Sequence, residues 1–244
     1  DEAESLISAS LRAFEAWPRD EETAMSVAQA FLNRALVMQH KLRFDDALRF
    51  CDQALDRLAQ AGIELPNPMV LQSSMQKAEV MLLSNKVDDA RTLYESLITQ
   101  QTRRNGPDST KVGLLLSMVA SRLFERGLYE HSITYNERAL GVFKQHRSLR
   151  EHRGVVLALQ LDIASAQSEL NRLDAAQAII AEARRELDGE GLSPAMQITR
   201  MLRTSEASVQ RQHDAVYYLL KLELKENTYA SGGPALYIPD GAVL

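Results

Sequence analysis

Residues 41–58 read KLRFDDALRFCDQALDRL, and recognisable versions of this stretch return later in the chain. Anchored on the small residue Ala47, the counterparts are Ala90, Ser132 and Ala176, at intervals of 43, 42 and 44 residues. Ala215 and Ala3 extend the series as weaker copies towards the two ends. Twelve positions before the four clear anchors stand Ala35, Ala78, Ala120 and Ala164. Seven positions after them come Ala54, Leu97, Ala139 and Ala183, and three before them Phe44, Val87, Tyr129 and Leu173. Small residues recurring in pairs place two helices in close contact, and the larger apolar ones fill the holes between ridges.

Working outward, the chain reads as helix after helix. Expected helices cover residues 2–17, 20–40, 44–61, 67–85, 87–106, 107–127, 129–146, 149–170, 173–188, 195–211 and 213–227. Their punctuation has physical causes. Pro18 stops the first, Asp20 and Asn67 offer capping side chains, Pro68 suits a first helical position, and Gly62, Gly106 and Gly127 suit left-handed ends. No segment alternates with the period of a strand. The fold class is therefore all-α, with a helical repeat domain over residues 1–228 and a linker and tail over 229–244, where SGGP precedes ALYIPDGAVL. That tail is read as a terminus, the start of a further domain, or a segment that docks into an apolar groove.

Composition narrows the function. The chain has 244 residues, 45% of them hydrophobic, enough for a continuous core. A net charge of −5 argues against direct nucleic-acid binding and against generic attachment to anionic membranes. The richest apolar run, residues 113–120, is too short for a membrane span. One cysteine allows no internal disulfide, and Cys51 falls where an inert buried thiol is expected. The chain starts at Asp1 without a leader, as expected of a trimmed domain or a mature chain. A cytoplasmic setting is expected, with the periplasm as the alternative.

No chemical motif emerges. The histidines, His40, His131, His146, His152 and His213, form no HExxH and have no cysteine company, so no metal is expected. There is no phosphate-binding glycine loop and no GxSxG elbow, and no catalytic residue or cofactor is expected. The pairs Asp45/Asp46 and Asp88/Asp89 suit the first turns of helices, where they favour the dipole. Lys144, His146, Arg147, Arg150, His152 and Arg153 gather around one expected helix junction. Cations favour a helix C-terminus, and Arg147, Arg150 and Arg153 also make a candidate patch for an acidic partner.

The recurring small residues resemble the tetratricopeptide repeat, from about residue 28 to 187. The spacing exceeds the usual ~34 residues and also falls in the range of HEAT and armadillo repeats. The family's second aromatic position reads Cys51, Tyr94, Asn136 and Ile180; its bulky first-helix position reads Phe31, Ser74, Leu116 and Gln160. The resemblance implies a right-handed superhelix of about five to six antiparallel helix pairs, with a concave groove lined by first helices that receives a protein or peptide.

Carried over, the groove positions are Asn33, Leu36 and Gln39; Gln72, Gln76 and Glu79; Ser117, Ser121 and Phe124; and Leu161, Asp162 and Ser165, with Arg200 and Thr204 weaker. Of the lysine, asparagine and arginine clamp that holds chaperone tails, only Asn33 is matched. The longer repeat is more similar to kinesin light chains and to bacterial regulators with such a domain. Two functions follow: a regulatory interaction scaffold within a larger signalling or transcription-regulating protein, or a ligand-sensing domain that binds a small molecule in the groove. Homodimer formation through Val216, Tyr217, Leu219, Leu220 and Leu222 is a further option.

Overall fold

The computed structural model describes residues 20–145 and 149–188, together with residues 9, 209, 210 and 212, and gives side-chain detail for 153–186 of the second stretch. The described residues form eight helices and no strand: α1 (Glu21–His40), α2 (Phe44–Gln60), α3 (Pro68–Leu83), α4 (Val87–Asn105), α5 (Thr110–Glu125), α6 (Tyr129–Gln145), α7 (Leu149–Glu169) and α8 (Leu173–Asp188). Expected helices over 2–17, 195–211 and 213–227, and the tail from 229, lie outside the described residues. The chain divides into two compact units with the boundary after Gly127.

Helix starts follow the sequence signals. Asp20 accepts from the Thr23 amide at 2.8 Å, and this bond holds its carboxyl below the usual carboxylate range. Asn67 accepts from the Met69 amide at 2.8 Å with Pro68 opening α3. The start of α5 differs from expectation, since the cap is Ser109 instead of the Pro107–Asp108 pair, its hydroxyl accepting from Lys111 N at 3.3 Å.

Long helices account for the long repeat. The helices run from 16 to 21 residues, while residues 41–43, 84–86, 126–128 and 170–172 make uniformly tight turns. Each such turn has one left-handed residue: Leu42 (φ 59°), Asn85 (φ 61°), Gly127 (φ 72°) and Asn171 (φ 58°). The Leu42 and Arg43 amides donate back to Gln39 and Met38 carbonyls, and Asn85/Lys86 and Asn171/Arg172 repeat the pattern. This double bond closes the first helix and aims the chain into the second. The left-handed residues recur with the same intervals as the alanine anchors, so turn and crossing belong to one unit.

In the first unit α1 packs on α2, α2 on α3, α3 on α4 and α4 on α5, and α1 also lies against α3. Ala28, Ala35, Ala47 and Ala54 are fully buried at the first crossing, with Leu32, Met38 and Leu58 filling the space beside them. Ala78 and Ala90 do the same at the next. Cys51 lies in this core, and burial pushes its thiol up to about 12, so it is protonated at neutral pH. In the second unit α6 packs on α7 and α7 on α8, around Leu157, Leu161, Ala164, Ala176 and Ala183. Arg172, in the α7–α8 turn, pairs with Glu130 in the first turn of α6.

Leu42 is anomalous. It is 74% exposed and holds the left-handed conformation for which the equivalent turns use asparagine or glycine. A Cβ-bearing residue without a short polar side chain pays about 1–2 kcal/mol there. Leu42→Asn should therefore raise stability by about 1 kcal/mol, read as a higher urea midpoint with unchanged slope; an unchanged or lower midpoint contradicts the turn analysis.

Candidate functional site

The candidate site is the outer face of the first helices, α1, α3 and α5 in the first unit and α7 in the second, each unit taken by itself. Measured from the buried alanines Ala35, Ala78, Ala120 and Ala164, the residues two before and one after share one register on each first helix, exposed on α1 and α5 but buried at Glu79 of α3. They are Asn33 and Leu36 on α1, Gln76 and Glu79 on α3, Met118 and Ser121 on α5, and Asp162 and Ser165 on α7. The residues six before extend it through Gln29, Gln72, Leu114 and Ala158. Spacings of three and four residues keep all of them on one side of a 3.6-residue helix.

In the first unit this face combines amides, a hydroxyl and apolar side chains. Asn33, Gln72 and Ser121 are exposed, and Leu36, Leu114 and Met118 are 38%, 51% and 47% exposed. Two cross-helix links hold it. The Gln76 amide donates to the Gln39 side-chain oxygen at 2.7 Å, tying α3 to α1. Arg126, just beyond α5, pairs with Glu79 on α3. Glu79 is buried and its second carboxylate oxygen has no partner, so the arginine is what offsets the cost of placing that charge there.

Several expected groove residues take other roles. Leu161 is 2% exposed and belongs to the core of the second unit. It lies three residues before the anchor, about 100° around the helix from Asp162. Ser117 shares that register and is half-buried, so Leu114 and Met118 present the face of α5 instead. Glu79 and Gln39 serve as links between helices. Phe124 is half-buried and in contact with neighbours. Ser165 turns its hydroxyl back to the Leu161 carbonyl at 2.9 Å. The signal for Leu161 was available in the sequence, because Leu32 and Met75 occupy the same register and are buried too.

Of the basic patch, Arg147 and the side chain of Arg150 lie outside the described residues, as do Arg200 and Thr204. Arg153 is half-buried and engaged. Arg150 and Arg153 fall in the opening turns of α7, where the helix dipole opposes positive charge, so the C-terminal dipole argument holds for Lys144 in the last turn of α6 and not for them. Asp45 and Asp46 do open α2, as Asp88 and Asp89 open α4. Hydrogen bonds from Arg49 and Arg43 keep the Asp46 carboxyl below the usual carboxylate range.

A second concavity was not anticipated. Between α2 and α4, which both pack on α3, an open cleft of about 680 Å³ is walled by Leu55, Ile63, Leu65, Val70, Leu93 and Leu97. Ser74 of α3 lies among its lining residues, at the register that holds Phe31 in the first repeat and Leu116 in the third. Among the described residues, no group of three or more histidine, cysteine and acidic side chains is placed to hold a metal ion, and no helix is long and apolar enough to cross a membrane.

No protein-family model and no curated protein matches this chain. Its fold is similar to that in the crystal structure of BtubC (BKLC) from P. vanneervenii, with a TM-score of 0.54 and 18% identity over 79% of this chain and 75% of that one. At this identity the likeness concerns fold alone.

On the first-helix face of the second unit, Asp162 is open to water yet has enough protein packed around it that desolvation pushes its carboxyl up to about 6. The folded chain therefore binds this proton more tightly than the unfolded chain does, so acid favours the fold at this position. The penalty is absent below the ordinary carboxylate value near 3.8, grows as pH rises through about 6, and is constant above it. Asp162→Asn should stabilise the chain at pH 7.5 and lose that advantage as pH falls towards 4, measured as the difference in urea midpoint from the parent. A difference that does not change with pH contradicts the desolvation of Asp162.

Proposed function

We propose that this chain is a tetratricopeptide-like interaction scaffold, the regulatory part of a larger signalling or transcription-regulating protein, that holds a protein or peptide on its first-helix face. One observation carries the reading. Among the described residues, four large hydrophobic side chains are exposed, and three of them, Leu36, Leu114 and Met118, project from a single stripe of α1 and α5. Scattered exposed leucines are ordinary, whereas exposed apolar side chains gathered on one side of the first helices are a feature of contact surfaces. Between and around them, Asn33, Gln72 and Ser121 offer donors and acceptors suited to a peptide backbone. A partner held this way takes apolar side chains against α1 and α5 and polar contacts along α3.

The alternative, a ligand-sensing domain, draws support from the α2–α4 cleft, whose 680 Å³ falls within the range of small-molecule sites. On either reading the links Gln39–Gln76 and Glu79–Arg126 set how neighbouring first helices are spaced, and a bound molecule that alters them changes the geometry presented to an attached domain.

The test is capture from source-cell lysate with the parent, with the double variant Leu36→Glu/Met118→Glu, and with Thr99→Glu on the exposed side of α4 as control. The partner should be retained by the parent and the control and lost by the double variant, with at least about a tenfold weakening once its affinity is measured. Equal retention by a double variant with native helical content contradicts the assignment of the face.

A further inference from the structure

We infer that the cleft between α2 and α4 binds a short peptide with free termini and apolar side chains. This names a ligand class for the ligand-sensing reading, on which it rests, and it concerns a different surface from the first-helix face.

The cleft arises from one departure in the repeat. Where Phe31 and Leu116 supply bulk, Ser74 leaves space, and α2 and α4 flank α3 without filling it. Ser74 is 4% exposed, lines the cleft, and has no hydrogen-bond partner for its hydroxyl among the described residues. The hydroxyl oxygen stays open to the cleft, where a ligand amide can pair with it.

The charged groups of the lining select the ligand. Arg103 and Arg104 stand on α4, with Asp56 on α2 and Glu64 in the following loop. None of the four forms an ion pair among the described residues. Arg104 is held in place by donating to the Leu65 carbonyl at 2.6 Å, which leaves Arg103 and Asp56 as the unengaged pair on opposing helices. A fatty acid would answer the arginines but leave Asp56 and Glu64 without a partner, and a cationic amphiphile would leave the guanidiniums bare. A zwitterion answers both signs: its carboxylate pairs with Arg103, its ammonium with Asp56, its backbone amide with Ser74, and its side chains with the leucine and valine walls. The open volume of about 680 Å³ accommodates a few residues.

The experiment is calorimetric titration of the whole chain with the tripeptide Leu-Ala-Leu, its N-acetylated form and its C-terminal amide. Saturable binding of the free tripeptide is expected, weakened about tenfold or more by blocking either end. Arg103→Glu, on the surface, should weaken it by a similar factor. Ser74→Leu, which restores the bulk of the other repeats, should abolish binding while keeping the helical signal, and Met118→Glu should leave binding unchanged. Capped forms that bind equally well, with Ser74→Leu abolishing the binding, would overturn the zwitterion assignment while leaving a ligand site in the cleft. No saturable heat from the parent, or binding untouched by Ser74→Leu, would overturn the site itself.

Discussion

Everything in this chain depends on how closely each first helix can cross its second. Where Ala35 meets the helix that carries Ala47 and Ala54, side chains are reduced to a methyl group, the backbones approach, and larger residues such as Leu32, Met38 and Leu58 close the core on either side. The same reduction recurs at Ala78 with Ala90 and at Ala164 with Ala176. Enlarging one of these positions would push two helices apart, and the turn between them could not follow, because its left-handed residue and paired hydrogen bonds fix the exit direction.

From that crossing the make-up of the first-helix face follows with little freedom. Once the alanine register is fixed, the positions two before and one after it lie away from the alanine crossing on each first helix, and are open to water except where a neighbour covers them, as Arg126 does Glu79. Their chemistry is then free to vary: asparagine and leucine on α1, glutamine and glutamate on α3, methionine and serine on α5, aspartate and serine on α7. The core positions repeat because packing demands it, whereas the stripe differs from helix to helix. This separation lets the chemistry of the face change without changing the fold.

The repeat was legible in the sequence because small residues at a steady interval leave few other physical explanations, and the helix limits were legible because Asp20, Asn67, Pro68 and Gly62 act locally. The outward stripe was legible only in part. Asp162 and Ser121 were found, but Leu161 and Ser117 were placed a single residue off register, and one residue is enough to turn a side chain from solvent into the core. Leu114 and Met118 escaped notice because an apolar residue on a helix is ordinarily read as core. Ser74 was noticed as an irregular residue, yet its consequence, a cleft between two helices it does not belong to, depends on how α2 and α4 flank α3, which no local pattern records.

The central claim, that the first-helix stripe is the contact surface, is tested most directly by methionine oxidation footprinting of the chain with and without its captured partner. Met118, 47% exposed, should oxidise readily in the free chain and be protected in the complex, while buried Met38 stays slow in both. Unchanged oxidation of Met118 in a saturated complex would place the partner elsewhere and contradict the account.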